Sequence, residues 1–466
     1  MKKIIQIISA GLILLFFVSC SSKNYEKEMK ASEDLFYKGK YLEAARLLLP
    51  NVNDGGKDEL LFMMECGLML HTAGDYETSN KVMLRAGKLA QVIPISISQQ
   101  TASFLTNDTS SNYRGEDFEK VLVHVYLGIN FLMLEKYDDA RVEFMAVNNE
   151  LSKIKSENGE ARYKQNIMAK YLTAIAFEIV GERDNDARDI EFAYIEYKQV
   201  YELNPNLGMV KDDLLRVSKR LDYDDEFQEW KSKFGKGYNE DPNSGELVTI
   251  FQAGRAPIKK SRGPLLKDPD MAPAIRLTVA SSNLTAGLTV AAVLVTMNNA
   301  ENPIPKFQKR SNKVDKIRIE GGGKTINTTL LEDVETTAIK NLEDDYGRLY
   351  KRVAVSIATK AVASLAAGLA AKKVAEQFQT TKAFAGVIGT AMGAGTGAAL
   401  FSQMKPDLRC WHTLPANFQL GRTKMKEGKY KLNFALLGDG GIVDTVQKEV
   451  EIKKGEKTVV NLRTLY

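Results

Sequence analysis

Glu116 and Glu119 are the carboxylates of this chain whose spacing and setting could do chemistry. They stand in Tyr113-Arg114-Gly115-Glu116-Asp117-Phe118-Glu119, at the end of a long polar stretch that begins near Ser96 and just before an apolar run. Two carboxylates so placed could serve as general acid and base on a peptidoglycan bond. The same residues have a simpler use, because negative charge ahead of an apolar helix complements the partial positive charge of its first turn. Tyr113, Glu116 and Glu119 are therefore read as candidate partner-binding residues, and no catalytic residue is assigned. His71, His124 and His412 are scattered, and Cys66 and Cys410 fall in different halves of the chain, so nothing reaches metal-ligand spacing. No metal and no cofactor is expected, and His124 reads as a packed helix residue. There is no nucleophile elbow, zinc motif or Cys-His arrangement.

These residues have to be positioned by more than one unit, since 466 residues exceed the roughly 250 to 300 at which a single core stops growing. A composition 44% hydrophobic and 26% charged excludes a disordered or polytopic membrane chain. A net charge of +5 over this length gives no reason to expect nucleic acid. The chain opens with Lys2 and Lys3, an apolar run from Ile4 to Phe17, and Val18-Ser19-Cys20. That ending resembles the lipobox of bacterial lipoproteins, with Phe17 where Leu is usual. The resemblance implies a signal peptide over 1–19, an acylated Cys20, and a tether over 20–24. Several acyl chains, palmitate among them, anchor stably where one is marginal. Ser21 and Ser22 stand where an Asp commonly retains such proteins at the inner membrane, so the expected location is the outer membrane, facing the periplasm. An ordinary secretory signal with a cysteine at its border is the alternative.

From 25 to 240 apolar residues recur at helical spacing. Gly39-Lys40-Tyr41 with Ala44, Gly74-Asp75-Tyr76 with Ser79, and Lys136-Tyr137 with Ala140 repeat a turn, an aromatic and a small residue. This is the tetratricopeptide pattern, in which small residues such as Gly67 and Gly128 let paired helices approach closely. A fourth unit reads as interrupted by a charged insertion near Glu182 to Arg188, and Asn204-Pro205-Asn206 ends it. Such repeats usually hold a peptide or protein segment on their concave face. A generic helical bundle is the alternative.

The run from Asn107-Asp108 through Tyr113, Gly115, Glu116 and Glu119 into His124, Asn130-Phe131-Leu132 and Ala140-Arg141-Val142-Glu143 is similar to a little-characterised family of bacterial lipoproteins with tetratricopeptide-like repeats. The similarity extends to the C-terminus. Its members tend to be encoded near outer-membrane lipoproteins that activate peptidoglycan synthases, which implies a role in the envelope. No catalytic residues come with that resemblance.

From 241 to 466 the pattern changes to strands: Leu247 to Phe251, Ile275 to Val279, Ile317 to Ile319, Phe418 to Leu420, Tyr430 to Leu436, Val446 to Ile452 and Thr458 to Leu462. Short turns at Glu427-Gly428, Gly438 to Gly441 and Lys454-Gly455 suggest a mostly antiparallel β-sandwich-like domain. Gly321-Gly322-Gly323-Lys324-Thr325 ends like a phosphate-binding loop, but Arg318 stands where its first glycine belongs, so it reads as a hairpin. Between about 344 and 403 an Ala/Gly-rich helical hairpin interrupts the strands, and Ala383 to Met404 is uncharged over a length that could span a bilayer. The hairpin either packs on the β domain or another subunit, or touches the membrane.

The fold class expected is α+β and multidomain: a tetratricopeptide-like α-solenoid, then a β-rich domain with a helical insertion. The function expected is a non-enzymatic, lipid-anchored scaffold with one or more periplasmic or envelope proteins as partners. Peptidoglycan and a second copy of the chain are further partners it allows. The competing readings are an envelope component that oligomerises through the hairpin, and a peptidoglycan hydrolase.

Overall fold

The computed structural model describes residues 25–53, 56–92, 111–153, 166–238, 241–273, 297–298, 300–377 and 382–466. The leader with Cys20, Asn107-Asp108 and the strand expected at Ile275–Val279 lie outside them.

Ten helices among these residues form five helix-turn-helix pairs: α1 (Tyr25–Phe36) with α2 (Tyr41–Val52), α3 (Glu59–Thr72) with α4 (Tyr76–Val92), α5 (Asp117–Met133) with α6 (Tyr137–Lys153), α7 (Ile167–Asp184) with α8 (Ala187–Leu203), and α9 (Gly208–Arg220) with α10 (Asp224–Phe234). Each pair turns through one residue at positive φ: Gly39, Gly74, Glu135, Asn185 and Asp222. Glycine does this freely, and the other three carry a Cβ in a sparsely populated region. Inside each of the three middle pairs a glycine lets the helices touch. A Cβ on Gly67 would lie 2.6 Å from Met83 Cγ, on Gly128 2.4 Å from the Phe144 ring, and on Gly181 2.7 Å from Ile190 Cδ1. Tyr76 and Tyr137 open the second helices, Ala140 is fully buried, and the Ser79 hydroxyl donates to the Gly67 carbonyl at 2.7 Å. Pro205 follows α8 directly after Asn204 and stops it at Leu203.

The fourth pair carries no insertion. Ile190 follows Gly181 at the offset by which Tyr76 follows Gly67 and Tyr137 follows Gly128, and Ala193 takes the place of Ser79 and Ala140. The charged residues near Glu182 are the end of α7, the Asn185 turn, and an early start of α8 capped by Asp186, whose carboxylate accepts from the Arg188 N–H.

The last repeat helix ends at Phe234 and strand β1 (Ser244–Ala253) follows. Then come β2 (Ile258–Lys260), β3 (Lys306–Gln308), β4 (Lys316–Gly321), β5 (Lys324–Asn327), β6 (Thr329–Asp333), helices α11 (Val334–Asp344), α12 (Tyr346–Gln377) and α13 (Lys382–Ser402), and β7 (Asn417–Lys426), β8 (Gly428–Gly438), β9 (Gly441–Ile452) and β10 (Lys457–Arg463). Two four-stranded sheets, β10-β1-β7-β6 and β5-β4-β8-β9, enclose a core of Leu247, Phe251, Ile317, Ile319, Leu432, Phe434, Val460 and Leu462. Among the described strands pairing is antiparallel except for β1 with β10. The β4–β5 connection is a hairpin whose two turn residues, Gly322 and Gly323, have φ of 56° and 72°, as a type I′ turn requires.

Only one of the three short C-terminal turns closes a hairpin, at Gly438 to Gly441. At Glu427 and at Lys453 to Glu456 the chain passes from one sheet to the other. Strand periodicity reads the strands correctly but cannot tell a hairpin turn from a step between layers. In α12 and α13 the small residues are used within the hairpin: a Cβ on Gly368 would meet the Gly389 carbonyl at 2.7 Å, and the Ser364 hydroxyl donates to the Gly393 carbonyl at 2.5 Å. The base of the hairpin is packed, with Val353, Ile357, Ala361, Phe401 and Met404 against Leu265, Met271 and Met297. Helix α12 is long and apolar enough to cross a membrane by length and composition.

Candidate functional site

The first helices of the three middle repeat pairs are buried on more than the side that meets their own partners. Helices α3, α5 and α7 are almost wholly enclosed, and their apolar residues share one core with Val248, Ile250, Trp411, Leu414, Phe418 and Leu420 of the β domain. Strand β1 is correspondingly buried on both faces, because alternate side chains point to opposite sides. One set meets the second sheet and the other meets the repeats. The face that would hold a peptide is filled by this chain's own C-terminal domain.

Carboxylates set into the apolar first helices make the polar contacts of that junction. Glu65 of α3 accepts the His412 N–H at 2.5 Å and the Thr413 hydroxyl at 2.6 Å. Burial pushes the Glu65 pKa up to about 7, against the opposing pull of His412. Glu119 of α5 accepts the Trp411 N–H at 2.6 Å on one oxygen, and the Tyr113 hydroxyl at 2.5 Å and the Glu116 N–H at 2.8 Å on the other. Its pKa is raised by burial and by the Glu116 charge. On α7 and α9, Glu178 and Asp213 bind Arg216, and Lys457 of β10 reaches Glu178 at 3.1 Å and Glu182 at 2.6 Å. Arg422 of β7 joins Asp213 and Glu246 at 2.8 Å each and donates to the Tyr171 hydroxyl at 3.0 Å. Burial opposes ionisation of Glu246, but Arg422 and Arg216 outweigh it and hold the pKa below the usual carboxylate range.

Between these clusters His71 Nε2 lies 2.7 Å from the Gln252 amide nitrogen and 3.0 Å from that of Asn461, and Nδ1 lies 2.5 Å from Asn130 Oδ1. Two amide donors on Nε2 and a carbonyl on Nδ1 assign the proton to Nδ1. Burial lowers the His71 pKa to about 4, so it is neutral at pH 7. His124 lies beside Glu143 at 2.7 Å and His412 beside Glu33 at 2.6 Å. Cys66 and Cys410 are buried and unpaired as thiols, and burial pushes Cys66 up to about 12.

A buried neutral histidine has a testable consequence. In the unfolded chain it protonates near its ordinary 6.5, whereas the native site resists down to about 4, so its contribution is present above pH 6.5 and is lost as pH falls towards 4. His71→Gln keeps one donor and one acceptor without the titration. From pH 7.5 to 4 the stability advantage of the wild type over the variant should shrink by about 3 kcal/mol in urea melts. A constant difference would show that His71 protonates in the native state at the same pH as in the unfolded chain.

Tyr113 and Glu119 are buried at 4% and 0% exposure, turned into the chain's own domain junction. Their hydroxyl and carboxylate make their hydrogen bonds within this chain. Glu116 stays at the rim, paired with Lys259 of β2. Glu119 also accepts the Glu116 N–H at the start of α5, the reciprocal half of a helix cap. The Glu119 carboxylate is thus held by three donors at the start of α5. Gly67, Gly74, Tyr76, Gly128, Tyr137, Ala140 and Pro205 all lie in turns or helix contacts of the repeats. Sequence reasoning does not single out Glu65, Glu178, Asp213 or Arg422. The available signal is a lone carboxylate inside an apolar helical run, as in Met63-Met64-Glu65-Cys66 and Ala176-Phe177-Glu178-Ile179, which needs a partner when buried.

Among solved structures the chain is similar to MamA 41-end from Desulfovibrio magneticus RS-1, with 16% identity and a TM-score of 0.31 over 46% of this chain and 93% of that one. It is also similar to a MamA RS-1 double mutant, at 16% identity and TM-score 0.32 over 46% and 92%. A third is a Podosopora anserina putative kinesin light chain with nearly identical TPR-like repeats, at 10% identity and TM-score 0.30 over 45% and 92%. No family model and no curated protein matches the sequence. The repeat architecture rests on the helix pairs, their turns and their glycine contacts.

Proposed function

We propose that this protein is a non-enzymatic scaffold, tethered by acylated Cys20 to the periplasmic side of a bacterial outer membrane, that holds envelope proteins on the outer face of its repeats. The observation that carries the reading is the closure of the inner face by the β domain. Its carboxylates are engaged by backbone N–H groups, hydroxyls, arginines and lysines of the same chain, so among the described residues neither a groove for a peptide nor an acid-base pair remains there. The second helices carry exposed apolar side chains instead: Leu47 on α2, Leu84 on α4, Val142 and Met145 on α6, and Phe192 and Ile195 on α8. Apolar surface repeated along one side of a solenoid suits protein docking. The lipobox-like ending at Cys20 and the resemblance to envelope lipoproteins supply the location. Peptidoglycan and a second copy of the chain are the further partners of this reading.

One strain set tests anchor and docking face together. Photo-cross-linking residues at Val142 and Phe192 should each give a discrete adduct in the membrane fraction. A fatty-acid analogue should label the wild type, and Cys20→Ser should lose the label, the membrane fractionation and the adducts. Equal labelling of both proteins, or no adduct from either position, would remove the reading.

A further inference from the structure

A recess lies where the repeats, the β domain and the base of the helical hairpin meet. It is a cleft of about 260 Å3, lined by residues 111–116 ahead of α5, by Lys259, by Asp407 and Arg409, and by the end of α11 and start of α12. Its lining holds five cations, Arg114, Lys259, Arg348, Arg352 and Arg409, against three carboxylates, Glu116, Asp345 and Asp407. Each carboxylate is already matched: Glu116 to Lys259, Asp345 to Arg348 at 2.9 Å, and Asp407 to Arg409 at 2.6 Å. Arg409 is further held by Asp58 at 2.6 Å from behind. The guanidinium of Arg114 makes no ion pair with a described residue, so the cleft keeps positive charge in a partly enclosed space. Pro303, Pro305, Leu342 and Leu349 give it an apolar wall.

We infer that this cleft binds a small anionic group, a carboxylate or phosphate monoester carried on a short neutral body. Guanidinium groups recognise both through charge-assisted hydrogen bonds, and the enclosure strengthens them relative to open surface. The volume is below the roughly 300 to 1,000 Å3 of sites for drug-sized ligands, so it admits a terminal group and not a folded partner. Because the lining comes from three parts of the chain, a bound anion would also pin the hairpin base to the domain junction.

The test is titration calorimetry of the full chain with acetyl-Ala-Ala, which ends in a free carboxylate, and with glycerol 3-phosphate. The matched neutral probes are acetyl-Ala-Ala amide and glycerol. At least one anion should bind saturably, its neutral counterpart should not, and affinity should weaken as salt rises. Arg114→Ala should lose about tenfold in affinity with an unchanged melting temperature in the absence of ligand, while Arg114→Lys retains most of it. Binding of acetyl-Ala-Ala alone identifies a peptide terminus as the source, and binding of glycerol 3-phosphate alone a phosphoryl group. No binding of either anion, or undiminished binding by Arg114→Ala, would overturn the inference. Neither result bears on the Val142 and Phe192 adducts, so this site and the scaffold reading fail separately.

Discussion

Replacing Arg422 by Met should unfasten the β domain from the repeats and cost about 3 to 5 kcal/mol, the range for removing one partner of a buried ion cluster. The side chain is 4% exposed and touches Asp213 of α9 and Glu246 of β1, both almost fully buried. Met fills similar space but leaves two carboxylates facing each other without the guanidinium. Asp213 already has its pKa raised to about 6 by burial, with Arg422 the main opposing influence, so the variant should take up a proton there at neutral pH. In a Trp230→Phe background, guanidinium unfolding followed separately by a helix signal and by Trp411 fluorescence should show one transition when Arg422 is present. The variant should be shifted to lower denaturant, with the Trp411 change first, because Trp411 sits at the junction. An unshifted midpoint would mean that the Arg422 cluster does not help to hold the junction.

Gly128→Leu should be the most damaging single change inside the repeats. The Phe144 ring occupies the position a side chain would need, with ring atoms at 2.4, 2.6 and 2.7 Å from a modest Cβ. A rigid aromatic cannot swing aside as a methionine can, so α5 and α6 must separate. Overpacking of this kind costs about 1 to 3 kcal/mol and occasionally more. Gly67→Ala should be milder, since its neighbour is the flexible Met83, and Gly87→Ala milder still, with Val123 at an ordinary 3.8 Å. Thermal melts should rank the three in that order. Equal melting of Gly128→Leu and wild type would mean that α5 and α6 do not pack through this glycine.

The helices that carry these contacts were legible because each needs a local pattern: an apolar stripe, a small residue facing the partner helix, and a turn. Where the turn residue is Gly39 or Gly74 the pattern is plain, beside Glu135 it survives in Lys136-Tyr137 and Ala140, and where Asn185 or Asp222 takes the left-handed conformation it is hidden. That concealment makes the fourth pair read as interrupted when its Gly181 and Ile190 keep the spacing of the others. The strands from Asn417 onward were legible for the same local reason, but their assignment to two sheets was not.

What the chain determined by itself was the order of its parts: paired helices, then strands, with an Ala/Gly-rich hairpin interrupting the strands. Periodicity and side-chain volume act over a few residues, so they survive in the sequence as spacing. The tertiary structure alone decided that β1 is buried on both faces, that Tyr113 and Glu119 turn inward, and that Glu65, Glu178 and Asp213 are answered by residues more than 200 positions away. A carboxylate in an apolar helix announces that it needs a partner, but burial and charge pairing depend on which surfaces meet. Here those surfaces belong to the two halves of one chain, so the face that repeats usually offer to another protein became the inside of this one.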